Sequence, residues 1–308
     1  MKHLVSSILL FLLGSSLFAQ MKDSVLLFSY FKGNGEDGLH FAYSSDGYKW
    51  SALHQDSSFL KPTAGKDKLM RDPCIIRDDK GVFHMVWTVS WNEKGIGYAT
   101  STDLVNWSEQ RYLPLMEKVQ GARNCWAPEI FFEPKTHEYM IFWATTVTGK
   151  FNETASSKEN GYNHRIYYVT TYDFQIFTEP DILYDQEFNV IDATITRNGK
   201  QYVMFLKDET PDPPQKNIRL ATSNQLTGGY SRPSAPFTGK DWAEGPTVVN
   251  IDGWWMVYYD LYRSKKMGGM RSKDLKIWSE VTPRLSFPEG LRHGTVLKIS
   301  NAELKALQ

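Results

Sequence analysis

Five stretches of this chain resemble one another. They are Ser44-Ser45-Asp46-Gly47-Tyr48-Lys49-Trp50, Ser101-Thr102-Asp103-Leu104-Val105-Asn106-Trp107, Thr171-Tyr172-Asp173-Phe174-Gln175-Ile176-Phe177, Ser223-Asn224-Gln225-Leu226-Thr227-Gly228-Gly229-Tyr230 and Ser272-Lys273-Asp274-Leu275-Lys276-Ile277-Trp278. Each reads as a strand end, a polar turn and an aromatic residue opening a further short strand. They recur about every 50–70 residues, the period of a stacked or radial repeat. Between them lie paired apolar runs joined by hairpin-forming turns such as Asp79-Lys80-Gly81, Asn198-Gly199 and Asp252-Gly253. A four-stranded unit repeated at this spacing is the blade of an all-β, five-bladed β-propeller.

Strand counting requires the ring to be permuted. The N-terminal strands near 25–31 and 39–44 lack an inner neighbour, and 294–299 is a single strand left over at the C-terminus. Pairing the two closes the ring. One propeller over residues 20–308 is expected, with no second domain.

Residues 1–19 have the layout of a secretory signal peptide: basic Lys2, an apolar run over 4–13, then small residues ending at Ala19. The run is short for a bilayer span, so a periplasmic or secreted mature chain without a membrane span is expected, most simply as a monomer. Lys+Arg and Asp+Glu both number 35, a balance with no footprint for nucleic acid. Two cysteines, Cys74 and Cys125, cannot supply a Cys-based zinc site or a disulfide scaffold. Two buried thiols are expected.

The starts of the five inner strands read Arg71-Asp72-Pro73, Trp126-Ala127-Pro128-Glu129, Ile191-Asp192-Ala193, Ala243-Glu244-Gly245-Pro246 and Arg292-His293-Gly294. In a propeller these points converge on one mouth of the central channel. Asp72, Asp192 and Glu244 stand immediately before three of the strands, and His293 before a fourth. Crowded carboxylates push their proton affinities apart, and glycoside hydrolysis uses that separation: one carboxylic acid protonates the leaving oxygen while an ionised carboxylate activates water. The loops joining second and third strands, at 31–38, 90–95, 146–164, 207–216 and 262–267, belong on the same face. Trp91 and Trp126 lie where they could stack on a sugar ring.

This set of motifs resembles glycoside hydrolase family 43, the propeller glycosidases of arabinose- and xylose-containing glycans, over nearly the whole mature chain. The resemblance implies an inverting hydrolase with Asp72 as general base, Glu244 as general acid and Asp192 as the carboxylate that tunes the acid. Inversion implies base and acid roughly 6.5–9.5 Å apart. It also places Arg71, Arg292, His293, Trp91 and Trp126 around the substrate, an oligo- or polysaccharide. No cofactor is required for the chemistry, but some members hold a calcium or sodium ion in the channel, touched by the residue matching His293. Two features depart from the common pattern: Glu129 stands where arabinan-cleaving members often carry Asp, and Ala193 follows Asp192 where many have Pro. The chain ends too soon after its closing strand for the β-sandwich that many β-xylosidases add. That favours an exo-acting α-L-arabinofuranosidase over a β-xylosidase. A propeller that binds glycan without cutting it is the alternative from another class.

Overall fold

The computed structural model describes residues 24–308, so the expected signal segment lies outside the described residues. Five antiparallel sheets form the five blades. The first blade runs from an inner strand, Thr295–Ser300, through Ser24–Tyr30 and His40–Ser44 to Ser51–Ala52. Ring closure is the pairing of the two chain ends, with Ser24 opposite Ser300 and Ser29 opposite Thr295. The second blade is Arg71–Arg77, Phe83–Thr88, Ile96–Ser101 and Arg111–Leu113. The third is Trp126–Glu133, Glu138–Thr146, His164–Thr171 and Asp181–Tyr184. The fourth has three strands, Val190–Asn198, Gln201–Asp208 and Asn217–Ser223. The fifth is Glu244–Ile251, Trp254–Leu261, Lys266–Ser272 and Ser279–Glu280.

The missing strand of the fourth blade corrects the expectation of four strands in every unit. Its place is taken by 231–238, where the N–H groups of Ser231, Ser234 and Phe237 donate to Thr222, Leu220 and Ile218. Pro233 and Pro236 lie in this segment and carry no N–H, so a regular ladder cannot form there and the segment stays an irregular edge.

The repeated polar turn has a simple physical cause. Asp46, Asp103, Asp173 and Asp274 each accept, through Oδ1, the N–H groups two and three residues on, at 2.7–3.0 Å. The preceding Ser44, Ser101, Thr171 or Ser272 hydroxyl accepts a third N–H. Three donors are thus satisfied by side chains while the chain reverses. The blades then pack through five apolar clusters, one at each junction between neighbours. Cys74 and Cys125 share the cluster between the second and third blades, both buried and both free thiols.

The second-to-third strand loops of the blades lie on the face where the inner strands begin. The loop at 147–163 is the longest, and with 89–95 and 209–216 it walls the candidate site.

Candidate active site

Each of four inner strands opens with a bulge, between Arg71 and Cys74, Trp126 and Glu129, Ile191 and Thr194, and Glu244 and Thr247. In each bulge one residue is left-handed: Asp72 (φ 53), Ala127 (φ 45), Asp192 (φ 52) and Gly245 (φ 56). A bulge turns a side chain out of the sheet plane, and Asp tolerates this conformation better than most residues. Asp72 and Asp192 are therefore equivalent by position. Glu244 is not: it stands one residue earlier, level with Arg71, Trp126 and Ile191. The carboxylates also lie on the first residues of their strands, which corrects their expected place just before them.

Asp72, Asp192, Glu244, Arg71, His293, Trp91 and Trp126 all line one pit of about 180 Å³ at the mouth of the channel. Arg292 does not line it; its guanidinium forms the partition with a neighbouring cavity, donating to Asp260 Oδ2 and Glu244 Oε1 at 2.9 Å each. Outside the pit lies a bowl of about 630 Å³, sharing Trp91, Trp126 and Glu209 with it and adding Tyr162 and His164. The Trp91 and Trp126 rings meet edge-on at 5.4 Å, and the Trp126 indole N–H donates to the Trp91 carbonyl at 2.9 Å. The Arg71 guanidinium lies over the Trp91 ring at 4.3 Å. These contacts hold the aromatic wall rigid, and Trp91 remains 42% exposed, open to a ligand.

The three carboxylates sit in different electrostatic surroundings. Burial acts to raise Asp72, but the bond from His293 Nδ1 (3.2 Å), the charges of His293 and Arg71, and the Thr88 hydroxyl (2.9 Å) outweigh it and hold the carboxyl at about 2. Asp192 accepts the Gly245 N–H at 3.0 Å; burial, reinforced by the Glu244 charge against His293 and Lys207, raises it to about 6. Burial would also raise Glu244, but Lys207 Nζ at 3.0 Å and Arg292 at 2.9 Å hold it below the ordinary value. Below about pH 6 the free site therefore holds one proton on the Asp192–Glu244 pair, weighted toward Asp192, with Asp72 ionised.

His293 fits this arrangement as a cation. Burial disfavours its charge, yet Asp72, Asp192 and Glu129 raise it to about 9. An imidazolium has no lone pair for a metal. Among the described residues no three His, Cys, Asp or Glu side chains are grouped to hold a metal ion. A calcium or sodium ion touched by His293 would have to displace that proton, and no step below runs through one. Gly245 packs against this ring: a Cβ there would stand 2.2 Å from His293 Cγ, on a backbone already left-handed. Gly245→Ala should lower stability by about 1–3 kcal/mol and impair activity, readable in a thermal melt and a rate assay on the same sample.

Sequence reasoning missed the partners on the second strands. Thr88, Lys207 and Asp260 sit opposite Arg71, Ile191 and Glu244 in register. Each sits at the same point of its blade, and each binds one of the first-strand polar groups: Thr88 with Asp72, Lys207 with Glu244, Asp260 with Arg292. The signal available was a Lys and an Asp closing otherwise apolar runs, Met204-Phe205-Leu206-Lys207 and Val257-Tyr258-Tyr259-Asp260.

Residues 24–305 match the family model described as "Probable glycosyl hydrolase domain", a family related to glycoside hydrolase family 43. The chain belongs to this family. Its curated relatives include an α-L-arabinofuranosidase of Bifidobacterium longum subsp. longum, 24% identical over 160 residues, covering 46% of this chain and 15% of that protein. The chain thus spans a small part of that relative's length. Among solved structures, the α-L-arabinofuranosidase of Lactobacillus brevis shares 20% identity, 69% of this chain and 72% of its own, with a TM-score of 0.54. The catalytic domain of a family 62 α-L-arabinofuranosidase of Coprinopsis cinerea shares 13% identity, 74% of this chain and 76% of its own, with a TM-score of 0.53. At these identities the solved structures establish the family's propeller fold.

Proposed function

We propose that the protein is an exported glycoside hydrolase that cleaves arabinose- or xylose-containing glycans with inversion, acting as an exo-α-L-arabinofuranosidase. The observation that carries this reading is one pit in which three largely buried carboxylates are held at different proton affinities beside an aromatic wall. Family membership and the named relatives support the reaction class and favour the arabinofuranosyl group. The small pit suits one terminal sugar, and the bowl outside it suits the leaving group. Among the described residues no helix is long and apolar enough to cross a membrane, and the signal-like start supports export.

In this reading Asp72 is the base. It is ionised throughout the working range, aimed by His293 and Thr88, and takes a proton from the attacking water as the water's oxygen bonds to the anomeric carbon. Glu244 is the acid, giving its proton to the glycosidic oxygen as the bond to the anomeric carbon breaks. Asp192 and Glu244 share one proton in the resting site. A sugar seated in the pit displaces water from Glu244, and desolvation raises that carboxyl's affinity for the shared proton.

The pH dependence follows. Asp72 is ionised above about 2, and the proton shared by Asp192 and Glu244 is lost as pH rises through about 6. The kcat/KM should therefore fall by about tenfold per unit well above pH 6, and a pH–rate profile flat from 4 to 8 would contradict the two-carboxylate scheme. Sugar release from aryl α-L-arabinofuranoside beside aryl β-D-xyloside tests the substrate. Cleavage of the first supports the reading, cleavage of the second alone moves the sugar to xylose, and cleavage of neither refutes the proposed substrate.

A further inference from the structure

The candidate acid is the inner end of a row of alternating charges. Lys207 Nζ lies 3.0 Å from Glu244 and 2.6 Å from Glu209 Oε2. Glu209 Oε1 lies 2.6 Å from Lys216 Nζ, which also lies 2.6 Å from Glu159. Lys207 and Lys216 are each 2% exposed in their side chains and Glu209 14%, so solvent screens the inner links weakly. The row leaves the pit along the fourth blade and crosses to Glu159, on the long loop of the third blade, at the rim of the outer bowl. Neither the repeat nor the motifs account for it, and simple packing does not require two buried lysines.

We propose that Glu209 is a positioning residue for the acid, drawing Lys207 away from Glu244, and that Lys216 and Glu159 set how strongly it does so. This rests on the reading of Glu244 as the acid. Lys207 is shared between two carboxylates, so whatever charge Glu209 offers weakens its hold on Glu244. The other charged groups around Glu244 are Arg292 in contact, with His293, Asp192, Asp260 and Arg71 nearby. Tyr262 faces both Glu209 and Glu244. These stay in place when the outer row is altered, so the row can be varied by itself. Its signs alternate, and so must the effects. Removing the negative charge of Glu209 sends Lys207 fully to Glu244 and makes the acid harder to protonate. Removing the positive charge of Lys216 frees Glu209 to pull Lys207, and makes the acid easier to protonate. Removing the charge of Glu159 leaves Lys216 wholly to Glu209 and acts as a weaker Glu209 substitution.

The test is the alkaline limb of kcat/KM for Glu209→Gln, Lys216→Met and Glu159→Gln, on the glycoside the wild type hydrolyses. It is paired with rates on a dinitrophenyl glycoside, whose leaving group needs no proton, and an alkyl glycoside, whose leaving group does. Glu209→Gln should move the limb down by about one unit and slow the alkyl substrate about tenfold, sparing the dinitrophenyl one. Glu159→Gln should move it the same way but less, and Lys216→Met should move it up. Glu159 is 38% exposed in its side chain, so its substitution keeps the test informative if a buried variant misfolds. Limbs that stay at the wild-type position, or that all shift in one direction, overturn the proposal while leaving Glu244 as acid if Glu244→Gln is selectively slow on the alkyl substrate. A Glu244→Gln enzyme as fast as wild type on that substrate overturns the acid assignment and this inference together.

Discussion

Asp72→Asn should leave a folded protein whose kcat/KM for glycoside hydrolysis is lower by about 10²–10⁴-fold, the range for losing a general base. The fold is expected to survive because Asn is, with Asp, among the residues that best tolerate the left-handed backbone at this bulge, where φ is 53°. Its amide oxygen can still accept from His293 Nδ1, and its NH₂ can donate to the Thr88 hydroxyl, which itself accepts the Ala127 N–H at 2.8 Å. What disappears is the ionised oxygen. Circular dichroism and a melt close to wild type, together with the rate loss, would assign the defect to chemistry. Wild-type turnover by Asp72→Asn would remove it from the mechanism.

His293→Ala should be the most damaging substitution for stability, at about 3–5 kcal/mol, because it leaves Asp72 ionised and buried without its main partner. The pair also gives a sign to the pH dependence of stability. Asp72 has its folded value lowered to about 2, so its contribution is present above the ordinary carboxylate range and is lost as pH falls through that range toward 2. His293 has its folded value raised to about 9, so its contribution is complete below the ordinary histidine range and is lost as pH rises through 9. The wild type should hold its stability best in the slightly acid range between. His293→Ala should lose most there and approach wild type at the extremes. Denaturant titrations at about pH 3, 6 and 9.5 would show this; a uniform deficit would point to lost packing against Gly245 instead of lost charge.

Much of this molecule is written in short-range chemistry and so was legible. The Asp46-type turn needs a hydroxyl, an Asp and an aromatic at fixed spacing, and that spacing survives in sequence even where the strands between diverge. Ring closure followed from N-terminal strands that lack an inner neighbour and a single strand left over at the C-terminus. The convergence of Asp72, Asp192, Glu244 and His293 followed from the repeat. What was not legible depends on register and on neighbours in space. A bulge shifts pairing by one residue, so Glu244 could not be distinguished from the level of Asp72 and Asp192. Pro233 and Pro236 replace an edge strand after a turn that keeps the Ser223 hydroxyl and the aromatic Tyr230 but carries Gln225 in place of Asp. Lys207 ends an apolar strand in the sequence, and only the folded ring shows it between Glu244 and Glu209. Arg292 was placed at the substrate from its neighbour His293, yet its side chain is turned to Asp260 and Glu244 in the partition.

In the proposed reaction, water activated by Asp72 attacks a glycosidic carbon opposite to the leaving group protonated by Glu244. The most direct measurement is the anomeric form of the first sugar released, followed by proton NMR in the first minutes of hydrolysis of aryl α-L-arabinofuranoside by the wild-type protein. β-Arabinose should appear first, with the α form growing in only by mutarotation. Release of α-arabinose first, or no release of sugar at all, would contradict it.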